Sequence, residues 1–273
     1  MTLKTRNRIM TFFSIFSILS LIAIVSLLIS SIANGTFKTS FGYEFFSLTE
    51  LSFFKPGEKS VILSLIFLQF YLPVTLLIFY FNFEKTQSSL IIFFSAFLLG
   101  NQFEISRLLI ALLNLKQTYS YIYMLFGNLA LMGKLISLFS FFLIASDCKD
   151  SQKLDVEIDL IIIFAISIFI TACIPLNTNV STKTFSIKYG FDTTVLVLFV
   201  TVILLTVITF IFSYRDTENK SIIRLLISYI HIIVGQHLLT DTDILVFILV
   251  GATLLIIGTR LYMKALHRMY LWD

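Results

Sequence analysis

Three ionisable residues lie inside long apolar runs: Glu104 and Arg107, three positions apart, and Lys134. A charge in such a run costs about 2.5–3.5 kcal/mol on insertion scales, so it persists where it faces a bundle interior and has a partner. Glu104 and Arg107 can pair along one helix. Lys134 needs a partner from another. Asn101, Gln102 and Asn128 add polar groups nearby. One carboxylate between two cations leaves a positive charge over, which suits a small anionic ligand in a polar binding or gating site. The plainer use of the same residues is a charge network that fixes the register of two helices.

The connection 115–119 is short, so the apolar segments 88–114 and 120–146 become antiparallel neighbours. Glu104 then lies level with Ala130, and Lys134 sits about 6 Å deeper at the helical rise. Side chains lean toward their own helix N-terminus, so Glu104 and Lys134 lean toward each other. Gly127, Ala130, Leu131 and Lys134 share a face on which the small residues invite a close helix approach.

A second polar group occupies the segment 221–239 and its end: His231 near the middle, then Gln236, His237 and Asp241. The i,i+4 spacing of His237 and Asp241 permits a proton relay or a simple helix-end hydrogen bond. With three histidines in the chain and no carboxylate at the depth of His231, no metal site is expected. Glu104 with His231 or His237 is the one acid–base pair from which an intramembrane enzyme can be assembled, and the sequence carries no GxxxxGK[ST], HExxH or GxSxG motif. A non-enzymatic role, with no catalytic residue and no cofactor, is therefore expected.

The elements that position these residues follow from composition. Hydrophobic residues make up 58% of the 273 positions and charged residues 13%, against roughly a quarter charged in a soluble domain. A soluble protein is excluded. The uncharged tracts are too long for a membrane β-barrel, whose strands alternate over about ten residues. Runs at 9–33, 60–82, 88–114, 120–146, 158–175, 193–213, 221–239 and 243–262 each approach the roughly 20 residues that cross a bilayer. The expected fold is one all-α, polytopic transmembrane bundle over residues 1–273, with about eight spans arranged as one plus seven. Pro73, one turn after Gln69, is expected to kink the second span.

Basic residues set orientation. With eight spans, Lys4, Arg6, Arg8, Lys85, Lys149, Lys153, Arg215, Lys220, Arg224, Arg260, Lys264 and Arg268 fall on the terminal side. Lys38, Lys55, Lys59, Lys116, Lys183 and Lys188 fall opposite. The two-to-one bias places both termini in the cytoplasm. The first segment has the basic start and Ser31-Ile32-Ala33 end of a secretory signal, but its apolar run exceeds the usual 7–15 residues or so, which favours an uncleaved anchor.

Residues 34–59 form the one long outer loop, with Phe37, Phe41, Phe45, Phe46, Phe53 and Phe54 suited to the headgroup region. Residues 260–273 form a basic amphipathic tail suited to the cytoplasmic membrane surface. Cys148 and Cys173 are too far apart in the topology to pair. The lipid bilayer is the expected partner, a membrane protein is a further candidate, and nothing points to nucleic acid. The abundance of Phe, Ile, Lys and Ser resembles that of an AT-rich bacterial genome, which places the chain in a bacterial inner membrane. A seven-helix sensory module is similar in helix count only. The leading reading is a binding or transport bundle; the alternative is a sensor or membrane-complex subunit.

Overall fold

The structure, a computed structural model, describes residues 2–34, 53–54, 56–84, 86–113, 115, 121–148, 155–182 and 184–270, with side chains omitted for 178–181. Of the aromatic loop, residues 35–52 and 55 lie outside the described residues, as do 271–273 of the tail. Among the described residues, eight helices are long and apolar enough to cross a membrane. They are α1 (Leu3–Ala33), α2 (Glu58–Asn82), α3 (Ser89–Leu112), α4 (Tyr121–Asp147), α5 (Val156–Cys173), α6 (Asp192–Thr217), α7 (Lys220–Asp241) and α8 (Leu245–Tyr270). The chain is a polytopic, overwhelmingly helical membrane protein.

Two departures from the sequence reading concern the site. First, α3 is not uniform: an α-helix over Ser89–Glu104 passes into a 3-10 turn at Ile105–Arg107 before resuming at Leu108–Leu112. A 3-10 stretch inside a helix commonly marks a hinge or local strain, and here it lies between Glu104 and Arg107. Second, the link from α5 to α6 is an antiparallel hairpin of β1 (Leu176–Ser181) and β2 (Ile187–Tyr189). Pro175 cannot continue α5, the following Thr, Val and Ile residues favour extended backbone, and Phe185 takes the left-handed conformation at the turn (φ 56°). α2 extends from Glu58 to Asn82 with Pro73 inside it.

α3 is the most enclosed span. It packs most extensively on α4 and also touches α1, α2 and α5, while α7 and α8 form the other closely packed pair. Glycines explain both pairs. A Cβ on Gly100 would stand 2.8 Å from the Gly133 carbonyl, and one on Gly133 would stand 2.6 Å from the Glu104 nitrogen. A Cβ on Gly235 would stand 2.8 Å from the Gly251 carbonyl. Without a hydrophobic driving force between helices in lipid, such close backbone approach supplies the dispersion contact that holds them. Gly127, expected to face α3, instead leaves room for Ile187 and Leu176 of the hairpin, so the close approach to α3 lies two turns further along α4.

An aromatic column occupies the middle of the bundle. Phe94 stacks on Phe79 (4.6 Å) and Tyr262 (4.4 Å), and Phe141 sits edge-on to Phe97 (4.7 Å) and near Tyr229 (4.9 Å). Each such pair adds about 0.5–1.5 kcal/mol beyond its burial, and together they tie α2, α3, α4, α7 and α8.

The start of α1 and the last turns of α8 meet at one end. The buried Arg6 guanidinium donates to the carbonyls of Phe83, Glu84 and Thr86 in the turn after α2, and His267 lies 4.6 Å from the ring of Phe83. Carbonyl oxygens in that turn have acceptor capacity left beyond the Thr86 N–H to Phe83 bond, so one inward arginine stabilises it while the flanking Lys4 and Arg8 stay exposed.

Candidate functional site

Toward the other end, Glu104, Arg107, Lys134 and Asp241 form one ionic network across α3, α4 and α7. Lys134 Nζ lies 2.7 Å from Asp241 Oδ1 and 3.5 Å from Glu104 Oε1. Arg107 Nη2 lies 3.9 Å from Glu104 Oε1. Gln236 Nε2 donates to Glu104 Oε2 at 3.1 Å, and His237 Nδ1 lies 2.7 Å from Asp241 Oδ2. Glu104 therefore contacts both expected cations, and the inward meeting of α3 and α4 charges is as the spacing indicated. Asp241 cancels the positive charge that the sequence left over.

The C-terminus of α7 explains much of the gathering. The last four carbonyls of a helix lack partners within it and carry partial negative charge. The Leu238 carbonyl accepts from Thr242 Oγ1 (2.5 Å), that of Leu239 from Ser64 Oγ (2.8 Å), and that of Thr240 from Arg107 Nη2 (2.6 Å). Arg107 and Lys134 thus bring their charge to a negative helix end as well as to two carboxylates. The hairpin lies against the same region: Tyr189 packs over α4 beside Leu131 and Leu135. Burial pushes its phenol above the ordinary tyrosine range, with the Lys134 ammonium acting against the shift.

Exposure rises steadily along the chain of contacts. The side chains of Glu104 and Arg107 are 1% exposed, Lys134 is 16%, Asp241 is 30% and His237 is 71%. At the buried end, Arg107 Nε and Nη1, Glu104 Oε1 and Asn101 Oδ1 have no hydrogen-bond partner among the described residues. Asn101 otherwise only returns its amide to the Phe97 carbonyl at 3.2 Å.

Two candidates stand apart. Asn128 is half-buried and makes no polar contact with the network. His231 Nδ1 bonds the Ile227 carbonyl of its own helix at 2.8 Å, which leaves it without a link to Glu104. Their positions in sequence are six and five residues from network members, spacings that turn a side chain to another helix face.

A second polar cluster binds α1 to the core. Gln102 Oε1 accepts from Ser17 Oγ (3.0 Å), while its Nε2 donates to Ser20 Oγ (2.8 Å) and to Gln69 Oε1 (2.8 Å). Gln102 and Gln69 were visible as polar residues in apolar runs. Their meeting was not, because no short loop fixes the relative depth of α1, α2 and α3.

Comparison of the chain with protein-family models, with curated proteins and with solved structures finds no match.

Proposed function

We propose that this protein is a non-enzymatic membrane bundle that binds or transports a small polar solute at the Glu104–Arg107–Lys134–Asp241 network. The carrying observation is the graded path from two buried charges to the exposed His237. A network that only fixed helix register would need no route to the surface. The Arg107 Nε and Nη1 donors and the Asn101 Oδ1 acceptor, which have no hydrogen-bond partner among the described residues, supply the binding capacity, since polar groups left unpaired in a low-dielectric interior are costly. Asp241 balances the set, so the fitting solute is polar with little net charge; an anion would rest on the Arg107 donors alone. A bacterial inner membrane, with both termini cytoplasmic, remains the setting we propose from composition and basic-residue bias.

The test is Glu104→Gln and Lys134→Met, separately and together, with membrane abundance measured beside growth. The proposal expects abundance to hold near wild type in the double variant while growth stays impaired. Full rescue of both by the double change would assign the residues to assembly and end the transport reading.

A sensor or complex-subunit role is the second reading. It draws on α5 and α6, which bury little of their length and present Ile161, Phe169, Leu196 and Val197 outward, a face that lipid or a partner helix can cover.

A further inference from the structure

One face of α1 carries a shallow groove of about 470 Å³ lined by Lys4, Asn7, Arg8, Thr11, Phe12 and Ile15. Its two halves differ in chemistry. Lys4 and Arg8, at i and i+4, are exposed and have no acidic partner among the described residues. Phe12 and Ile15, one and two turns further on, are also exposed. Asn7 between them is held in place: its Oδ1 accepts from Arg6 Nε (3.1 Å) and Nη2 (2.7 Å), and Thr11 Oγ1 donates to its carbonyl (2.8 Å). The Asn7 amide nitrogen is thereby free to donate outward.

The neighbouring arginine sharpens the contrast. Arg6 turns into the bundle, and its donors are taken by the carbonyls of the 83–86 turn and by Asn7 Oδ1, so direct contact with an anion at the groove falls to Lys4 and Arg8. Lys4 and Arg8 offer two uncompensated cations and flank a fixed amide donor at the boundary where the apolar run begins. From Lys4 to Ile15 the groove follows about 16 Å of helix, and its charged half ends about 6 Å from where the apolar half begins, at the standard rise.

We propose that this face binds one anionic phospholipid, with its phosphate between Lys4 and Arg8 and an acyl chain along Phe12 and Ile15. Charge complementarity selects the headgroup, and the contiguous apolar half selects a lipid over a free anion. The site is separate from the α3–α4–α7 network and stands whether or not that network binds a solute.

The test uses the purified full chain in detergent, titrated with phosphatidylglycerol or phosphatidylcholine and read by native mass spectrometry. Wild type is expected to take up one phosphatidylglycerol in preference to phosphatidylcholine. Lys4→Gln/Arg8→Gln is expected to weaken that uptake by roughly thirtyfold, from two basic residues near a lipid surface, with helical circular dichroism unchanged. The charge-keeping Lys4→Arg/Arg8→Lys variant and the Lys188→Gln variant, on the hairpin at the opposite end of the bundle, should bind as wild type does. Equal uptake of the two lipids, an unaffected Gln variant, or displacement of phosphatidylglycerol by millimolar inorganic phosphate would each overturn the proposal.

Discussion

Lys134 and Asp241, 107 positions apart in the chain, meet at 2.7 Å where α4 passes the C-terminus of α7. This pair closes the charge balance of the site. It also joins the buried Glu104 to the exposed His237, and so decides what the network can do.

Removing one member of a paired buried charge leaves the other uncompensated, typically at a cost of about 3–5 kcal/mol, with solvent access lowering the figure. Asp241→Asn and Lys134→Met should each lower the thermal midpoint of the detergent-solubilised protein. The combined change should lose less than the two single losses together, because neither charge is then stranded. Strict additivity would mean that the two groups do not interact.

Arg107→Met should be more damaging than Asn128→Leu. The first strands the Thr240 carbonyl and one side of Glu104, whereas Asn128 has no polar partner among the described residues to lose. Thermal unfolding of the two variants side by side gives the comparison.

The α3–α4 crossing should tolerate almost no added volume. Gly133→Val places a side chain against the Glu104 nitrogen and Phe103, and overpacking of this kind costs about 1–3 kcal/mol. The expected result is reduced stability, read as a lower thermal midpoint of the detergent-solubilised protein.

α1 should be a permanent member of the bundle. Gln102→Leu removes its bonds to Ser17 and Ser20, each worth about 0.6 kcal/mol by measured interhelical averages, and should loosen α1 measurably in hydrogen exchange. Intact mass of the purified protein should include residues 1–33; a mass lacking them would contradict this account.

The spans were legible because about twenty uncharged residues have one structural solution in lipid, and the Glu104–Lys134 contact followed from a short loop that fixes two helices in register. Where no such loop exists, depth counted from each helix's own end misled. Asp241 counted as the end of its own segment, yet it meets Lys134 well inside α4, and the long lysine side chain completes the contact. The hairpin was hidden for a different reason: strand pairing there depends on packing against Gly127 and α4, a tertiary effect that local composition does not report. The 3-10 turn between Glu104 and Arg107 had no sequence mark at all, since Ile105 and Ser106 are ordinary helix residues.

The central claim is that water reaches the network through His237 and Asp241. It is tested most directly by thiol accessibility of His237→Cys and Asp241→Cys in a Cys148→Ser/Cys173→Ser background, using a charged, membrane-impermeant reagent on intact membranes. The account predicts that both react, the second more slowly, and from one side only. Reaction of the Asp241→Cys chain solely with a lipid-soluble reagent would place that face against the bilayer and contradict the claim.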